Sequence, residues 1–254
     1  MSNLSYYAIK TISFQKIKEF FSEFQYTIIS PLISTIIFVV ILSTIRNYYS
    51  LGEKGNYINF VVPGIIIMTV MQVSYQNISE SLIFMKQIGS FNDYLISPIS
   101  RTEILFSLLF ASIFIGIFTG LVNIIVLTFF VKFYSFNFFI IIYYLFLTSL
   151  IFSSIGSIVG FLFFTWDIQS SISNFIIMPI SFLSGTFFSI HAINPKWMFF
   201  FKMNPFYYLV NKFRLSFYDG YYINVIEESF LFFFSLIFLI ISIFIYKKGY
   251  RTIF

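Results

Sequence analysis

Uncharged apolar runs of about 18 residues or more recur along this chain, and runs of that length mark helices that cross a lipid bilayer. Composition agrees. Of 254 residues, 59% are hydrophobic and 10% charged, where an ordinary soluble domain carries roughly 25% charged residues. Forty Phe and eighteen Tyr raise the aromatic fraction to 24%, more ring surface than one core of this size can hide. The chain reads as an all-α, polytopic membrane protein forming a single transmembrane domain over residues 1–254. It has no Cys, which excludes a disulfide framework, a thiolate metal site and a cysteine nucleophile. The net charge of +5 is modest and its 15 Lys/Arg sit beside the spans. That pattern speaks of membrane topology, with no basic cluster dense enough to track nucleic-acid phosphates.

Charged residues punctuate the sequence and set the spans. Residues 1–25 are mixed: Phe14, Ile17, Phe20, Phe21 and Phe24 recur at helical spacing, and Gln15, Lys16, Lys18, Glu19, Ser22 and Glu23 take the other face. This predicts an amphipathic helix lying in the membrane interface; a soluble helix packed on a partner is the alternative. Six spans follow, at about 27–45, 57–79, within 104–131, within 133–166, 168–188 interrupted by Pro179, and 229–246. Six spans put both termini on one side. With that side inside, eight Lys/Arg are cytoplasmic and seven external, a poor positive-inside signal. The basic residues flanking the first and last spans still favour cytoplasmic termini.

Absences narrow the chemistry. No Gly is followed by Lys, so a phosphate-cradling G-x-x-x-x-G-K-[ST] loop is excluded. One histidine, His191, rules out multi-histidine zinc sites. Glu80, Glu103 and Asp167 lie at span ends and no carboxylate is mid-span, which disfavours proton- or sodium-coupled transport. Gly116-x-x-x-Gly120 and Gly156-x-x-x-Gly160 fit close helix packing. Two polar stripes stand out. Thr69, Gln72, Gln76 and Ser79 share a face of span two; Ser170, Ser173, Asn174, Ser181 and Ser184 mark span five. Polar side chains avoid lipid, so the stripes are either hydrogen-bonding glue between helices or the lining of a path. Between spans two and three, residues 80–103 are too polar to cross; Gly89 and Pro98 bound a short helix, with Lys86, Asp93 and Arg101 exposed and Phe91, Tyr94 and Leu95 as apolar contacts. Residues 191–228 carry Asn194-Pro195 and Asn204-Pro205 among many aromatics, which suits short helices dipping into the interface.

Several blocks, loose singly but specific in their order, resemble the membrane permeases of type-2 ATP-binding-cassette exporters. They are Phe60-Val-Val-Pro-Gly64, Tyr94-Leu-Ile-Ser-Pro-Ile-Ser-Arg-Thr-Glu103, Phe182-Leu-Ser-Gly-Thr-Phe-Phe-Ser189, Asn204-Pro-Phe-Tyr-Tyr208 and Arg214. Asn194-Pro195 departs from the more usual leucine-proline. The resemblance implies cytoplasmic placement of the N-terminal helix and of residues 80–103, the latter as the coupling segment, with Lys86, Phe91, Asp93, Tyr94, Leu95 and Arg101 facing an ATPase. It implies external re-entrant helices over 191–228, and a path near Thr69, Gln72, Gln76, Ser79, Ser173, Asn174, Ser181 and Ser184. It implies two permease copies with a separate nucleotide-binding ATPase subunit in a bacterial plasma membrane, no cofactor in this chain, and an amphipathic, drug-like or lipid-linked glycan cargo. A membrane scaffold or assembly factor sharing the six-helix layout is the alternative; an adjacent reading frame encoding an ATPase would separate the two.

Overall fold

The computed structural model describes residues 2–49, 56–131, 133, 136–188, 195–218 and 224–248. Helices follow in the order α1 (Ser2–Ser22), α2 (Ser30–Tyr49), α3 (Asn56–Gln87), α4 (Ser90–Ile96), α5 (Arg101–Leu127), α6 (Phe138–Leu162), α7 (Trp166–Ile172), α8 (Met178–Leu183), α9 (Pro195–Met203), α10 (Pro205–Leu215) and α11 (Val225–Lys247). Two π-helical segments, Gln25–Ile29 and Ser173–Ile177, join α1 to α2 and α7 to α8. No strand occurs among the described residues.

Five stretches are long and apolar enough to cross a membrane: Gln25–Thr44, Tyr57–Gln87, Arg101–Leu127, Phe138–Leu162 and Val225–Lys247. They correspond to the first four expected spans and the sixth. The expected fifth is helical over 166–183 but broken into α7, a π-helical turn and α8, and it is not among the five. Its first nine residues include Asp167, Gln169, Ser170, Ser171, Ser173 and Asn174. Pro179 lacks the N–H that would bond the carbonyl four residues back, and the π-helical turn stands just ahead of it.

The centre of the bundle is α3. Of its most apolar window 72% is buried, against 11% for Gln25–Thr44 and 22% for α11, which lie at the periphery. Glycines bring α5 and α6 onto it, as the paired G-x-x-x-G spacings predict. A methyl group at Gly156 would stand 2.4 Å from the Tyr75 carbonyl, and one at Gly116 2.1 Å from Ser74 Oγ. Hydroxyls complete the seam: Ser112 donates to the Ser74 carbonyl at 2.8 Å and Ser153 to Ser112 Oγ at 3.0 Å.

One expectation about a helix end changes. The segment 80–103 is not a loop from its start, because α3 continues to Gln87 before Gly89, at φ 80°, breaks it. Only α4 and the extended Ser97 to Ser100 connection remain, after which a capping box between Ser100 and Glu103 starts α5. The N-terminal helix packs along α5. Ser13 Oγ donates to the Ser107 carbonyl at 3.0 Å, and the Phe21 ring meets Phe118 at 5.0 Å. Eight residues of α1 thus advance beside eleven of α5. The expected apolar face is divided accordingly: Phe20 is buried with Val73 and Ile115, Ile17 is half-buried, and Phe14, Phe21 and Phe24 are exposed.

Candidate functional site

The four polar residues of α3 do share one side, and α7 closes part of it. Gln76 Nε2 donates to Ser173 Oγ at 3.5 Å, and Gln169 Nε2 donates to Ser79 Oγ at 3.1 Å. Tyr75 donates its hydroxyl to the Gln169 carbonyl at 3.2 Å. Gln169 was absent from the sequence-read stripe, although it stands one turn before Ser173 and its spacing fits. Farther along, Thr69 Oγ1 lies 3.4 Å from Thr35 Oγ1 of α2. Between these two closures α2 stands away from α3, leaving a cavity of about 200 Å³ lined by Ser30, Ser34, Thr35, Gln72, Gln76 and Phe187 among others. Gln72 and Gln76 are half-exposed there. Ile33, Ile37 and Ile41 of α2 are exposed, as are Phe175 and Ile176 of the π-helical segment Ser173–Ile177. Ser181 and Ser184 take no part: both are buried and bond the carbonyls of Ile177 and Ile180 at 2.6 Å. Asn174 is exposed. A seam of neutral amides and hydroxyls can solvate a polar group, and it offers no acid–base pair for bond chemistry.

A second constellation sits at the opposite end of α3 from α4. Arg214 of α10 is only 3% exposed. Its Nε donates to the Phe60 carbonyl at 2.7 Å, and Nη2 to the Gly185 carbonyl at 2.7 Å and the Thr186 carbonyl at 3.2 Å. The guanidinium also lies over the Phe60 ring, 3.6 Å from its centroid. Gly185 adopts φ 75°, a conformation that favours glycine, and a methyl group at Gly64 would stand 2.7 Å from the Thr186 carbonyl. Asn204 caps α10 by accepting from the Phe206 N–H at 3.0 Å, with Pro205 in its first turn. Three sequence blocks that looked separate therefore converge on one cation. Lys212 is buried beside it and pairs with Glu227 at 2.5 Å, tying α10 to α11. Of the aromatic segment 191–228, residues 191–194 and 219–223, including His191 and Asn194, lie outside the described residues.

At the α4 end the sequence-read contacts divide. Lys86 is half-buried, contrary to expectation: Nζ donates to the carbonyls of Gly160, Phe161 and Phe163 at 2.7, 2.6 and 3.3 Å, satisfying the open end of α6. Phe91, expected as a docking contact, is 2% exposed and packs on Ile78, Leu82 and Leu105 within this chain. Arg101 is half-buried, Asp93 is exposed, and the Leu95 side chain lies outside the described residues. Tyr94 is half-buried; burial, with the Glu19 carboxylate nearby, raises its phenol above the usual range and keeps it neutral. Among the described side chains of α4 the most exposed apolar one is Ile96, at 84%, which the sequence reading passed over.

The family model described as ABC-2 type transporter matches residues 7–218, from α1 through α10. The chain belongs to the ABC-2 type transporter family. It is similar to the inner membrane transport permease YadH of Escherichia coli strain K12, at 27% identity over 218 residues, which is 85% of each chain. The protein of the same name from Shigella flexneri matches to the same extent. Membership in the ABC-2 family accounts for the ordered blocks: Phe60 to Gly64, residues 182–189, Asn204 to Tyr208 and Arg214 all fall within the matched region. This chain is thus a permease of the ABC transporter type, and its multi-pass apolar helices fit that role.

Proposed function

We propose that this ABC-2 chain is the permease of an exporter in a bacterial inner membrane, acting as two copies with a separate ATPase subunit. In this reading residues 166–183 are the sixth crossing, both termini are cytoplasmic, and α9 and α10 are external re-entrant helices. The chain binds no nucleotide and needs no cofactor of its own. Thr69, Gln72, Gln76, Ser79, Ser173 and Asn174 line the path, with Ser181 and Ser184 holding the backbone beside it. The ATPase docks on α4, and Phe14, Phe21 and Phe24 of α1 face lipid.

The observation that carries this reading is the half-open seam on α3. Neutral polar side chains reach this cavity beside α2, and both α2 and the π-helical segment Ser173–Ile177 present exposed apolar side chains. A polar lining open to hydrocarbon is unfavourable, and a second copy laid across those faces turns the groove into an enclosed path. The lack of Cys makes this directly testable. Ile37→Cys on α2 should cross-link between copies in native membranes, whereas Ile237→Cys on the peripheral α11 should not. Gln76→Leu should reduce ATP-driven efflux about tenfold, equivalent to ~1.4 kcal/mol, without loss of assembly. Failure of Ile37→Cys to cross-link, with efflux unaffected by Gln76→Leu, would remove the two-copy path.

A further inference from the structure

A larger cleft, of about 520 Å³, opens between α1, α3, α4 and the start of α7. It is separate from the cavity on the Gln72 side. Four charged side chains stand on its wall: Glu19, Glu23, Glu80 and Lys16. Lys16 bonds Glu19 at 2.7 Å, and the lining holds no second cation for Glu23 and Glu80. Aromatic side chains line the cleft as well. Phe84 and Trp166 are partly exposed into the cleft, and the Trp166 indole N–H donates to Gln87 Oε1 at 2.5 Å, which fixes its plane.

Position matters as much as composition. α3 has 32 residues, about 48 Å at helical rise, while the hydrocarbon core is about 30 Å thick. A helix of that length outruns the core, and its polar end, the last two turns with Glu80, Lys86 and Gln87, is the part assigned here to headgroup depth. Apolar and aromatic walls at that depth receive an amphiphile from the adjoining leaflet. The carboxylates decide its sign: they repel phosphate and pyrophosphate groups, as in anionic phospholipids and lipid-linked glycans, and attract a cation. Aromatic faces add to this preference through the ring quadrupole.

We propose that this cleft is a binding site for amphipathic organic cations, ammonium or phosphonium compounds with an apolar body. That such a cation is cargo rests on the permease reading above; the binding itself does not.

The test uses the full chain in nanodiscs of zwitterionic lipid. Only two Trp are present, so Trp197→Phe leaves Trp166 as the sole tryptophan reporter in the cleft. Titration with tetraphenylphosphonium should give a saturable change in Trp166 emission, and tetraphenylborate, the same shape with opposite charge, should not. Glu23→Gln with Glu80→Gln should raise the midpoint about tenfold, as loss of charge-assisted contacts requires. Lys16→Gln should lower the midpoint, a gain that misfolding cannot imitate. Equal responses to the two ions, or midpoints unmoved by both sets of substitutions, would overturn the site. Mutual exclusion between tetraphenylphosphonium and the ATPase subunit would also overturn it, by assigning the cleft to docking. Saturable binding without ATP-driven movement of the cation in proteoliposomes would leave the site standing and remove its link to transport.

Discussion

A buried guanidinium needs acceptors on several sides, and Arg214 finds them on backbone from two other parts of the chain. Its three carbonyl bonds and the Phe60 ring hold α10 against the start of α3 and the turn at Gly185. A lysine keeps the charge but cannot present the planar fork that reaches both sides. Arg214→Lys should therefore lower stability in detergent, and Arg214→Leu should lower it further, by about 3 kcal/mol, because the freed carbonyls stay buried without donors. Thermal unfolding followed by circular dichroism checks this, and equal stability of parent and leucine variant would deny the pin. Lys86 is a similar case: a cation that sequence alone would place on the surface closes the end of α6 instead.

At the scale of elements, α4 shows how a short helix divides its work. One face is committed to the fold through Phe91, which packs in the core, while Ile96 projects outward. The two should respond to substitution in different assays. Phe91→Ala removes a buried ring and should cost about 3 kcal/mol of stability. Ile96→Asp should leave thermal stability unchanged and abolish pull-down of the ATPase, as expected where one exposed apolar residue anchors an interface. Undiminished capture by Ile96→Asp would move docking off α4. The helix itself was legible in the sequence, since Gly89 and Pro98 bound it. Which of its apolar residues turned inward was not, because seven residues contain too few turns for a periodicity to show a face.

For the whole molecule, the arrangement depends on how closely α5 and α6 approach α3. Gly156 leaves the Tyr75 carbonyl no room for a side chain, so Gly156→Leu should separate α6 from α3 and destabilise the protein by about 2 kcal/mol or more, the usual range for overpacking. Faster trypsin cleavage of the purified variant is the readout; a parent-like cleavage rate would show that the packing tolerates the change. Hydropathy is summed locally along a chain, and for that reason the sequence by itself determined that this protein is helical and membrane-embedded, where the five helices long and apolar enough to cross lie, and where the glycine pairs sit. Lipid is as apolar as the helices it surrounds, so the pairing of helices is decided by shape and by a few polar bonds rather than by hydrophobic periodicity. α3 shows this: its polar stripe of Thr69, Gln72, Gln76 and Ser79 was legible, but its remaining surface is apolar, and which helix each apolar face meets was not. Only the tertiary structure decided that Lys86 reaches carbonyls more than seventy residues away, that α1 rises along α5, and that Arg214 gathers three distant blocks. Each of these follows from long-range contacts that satisfy buried polar groups where water is absent, and such contacts have no local signature.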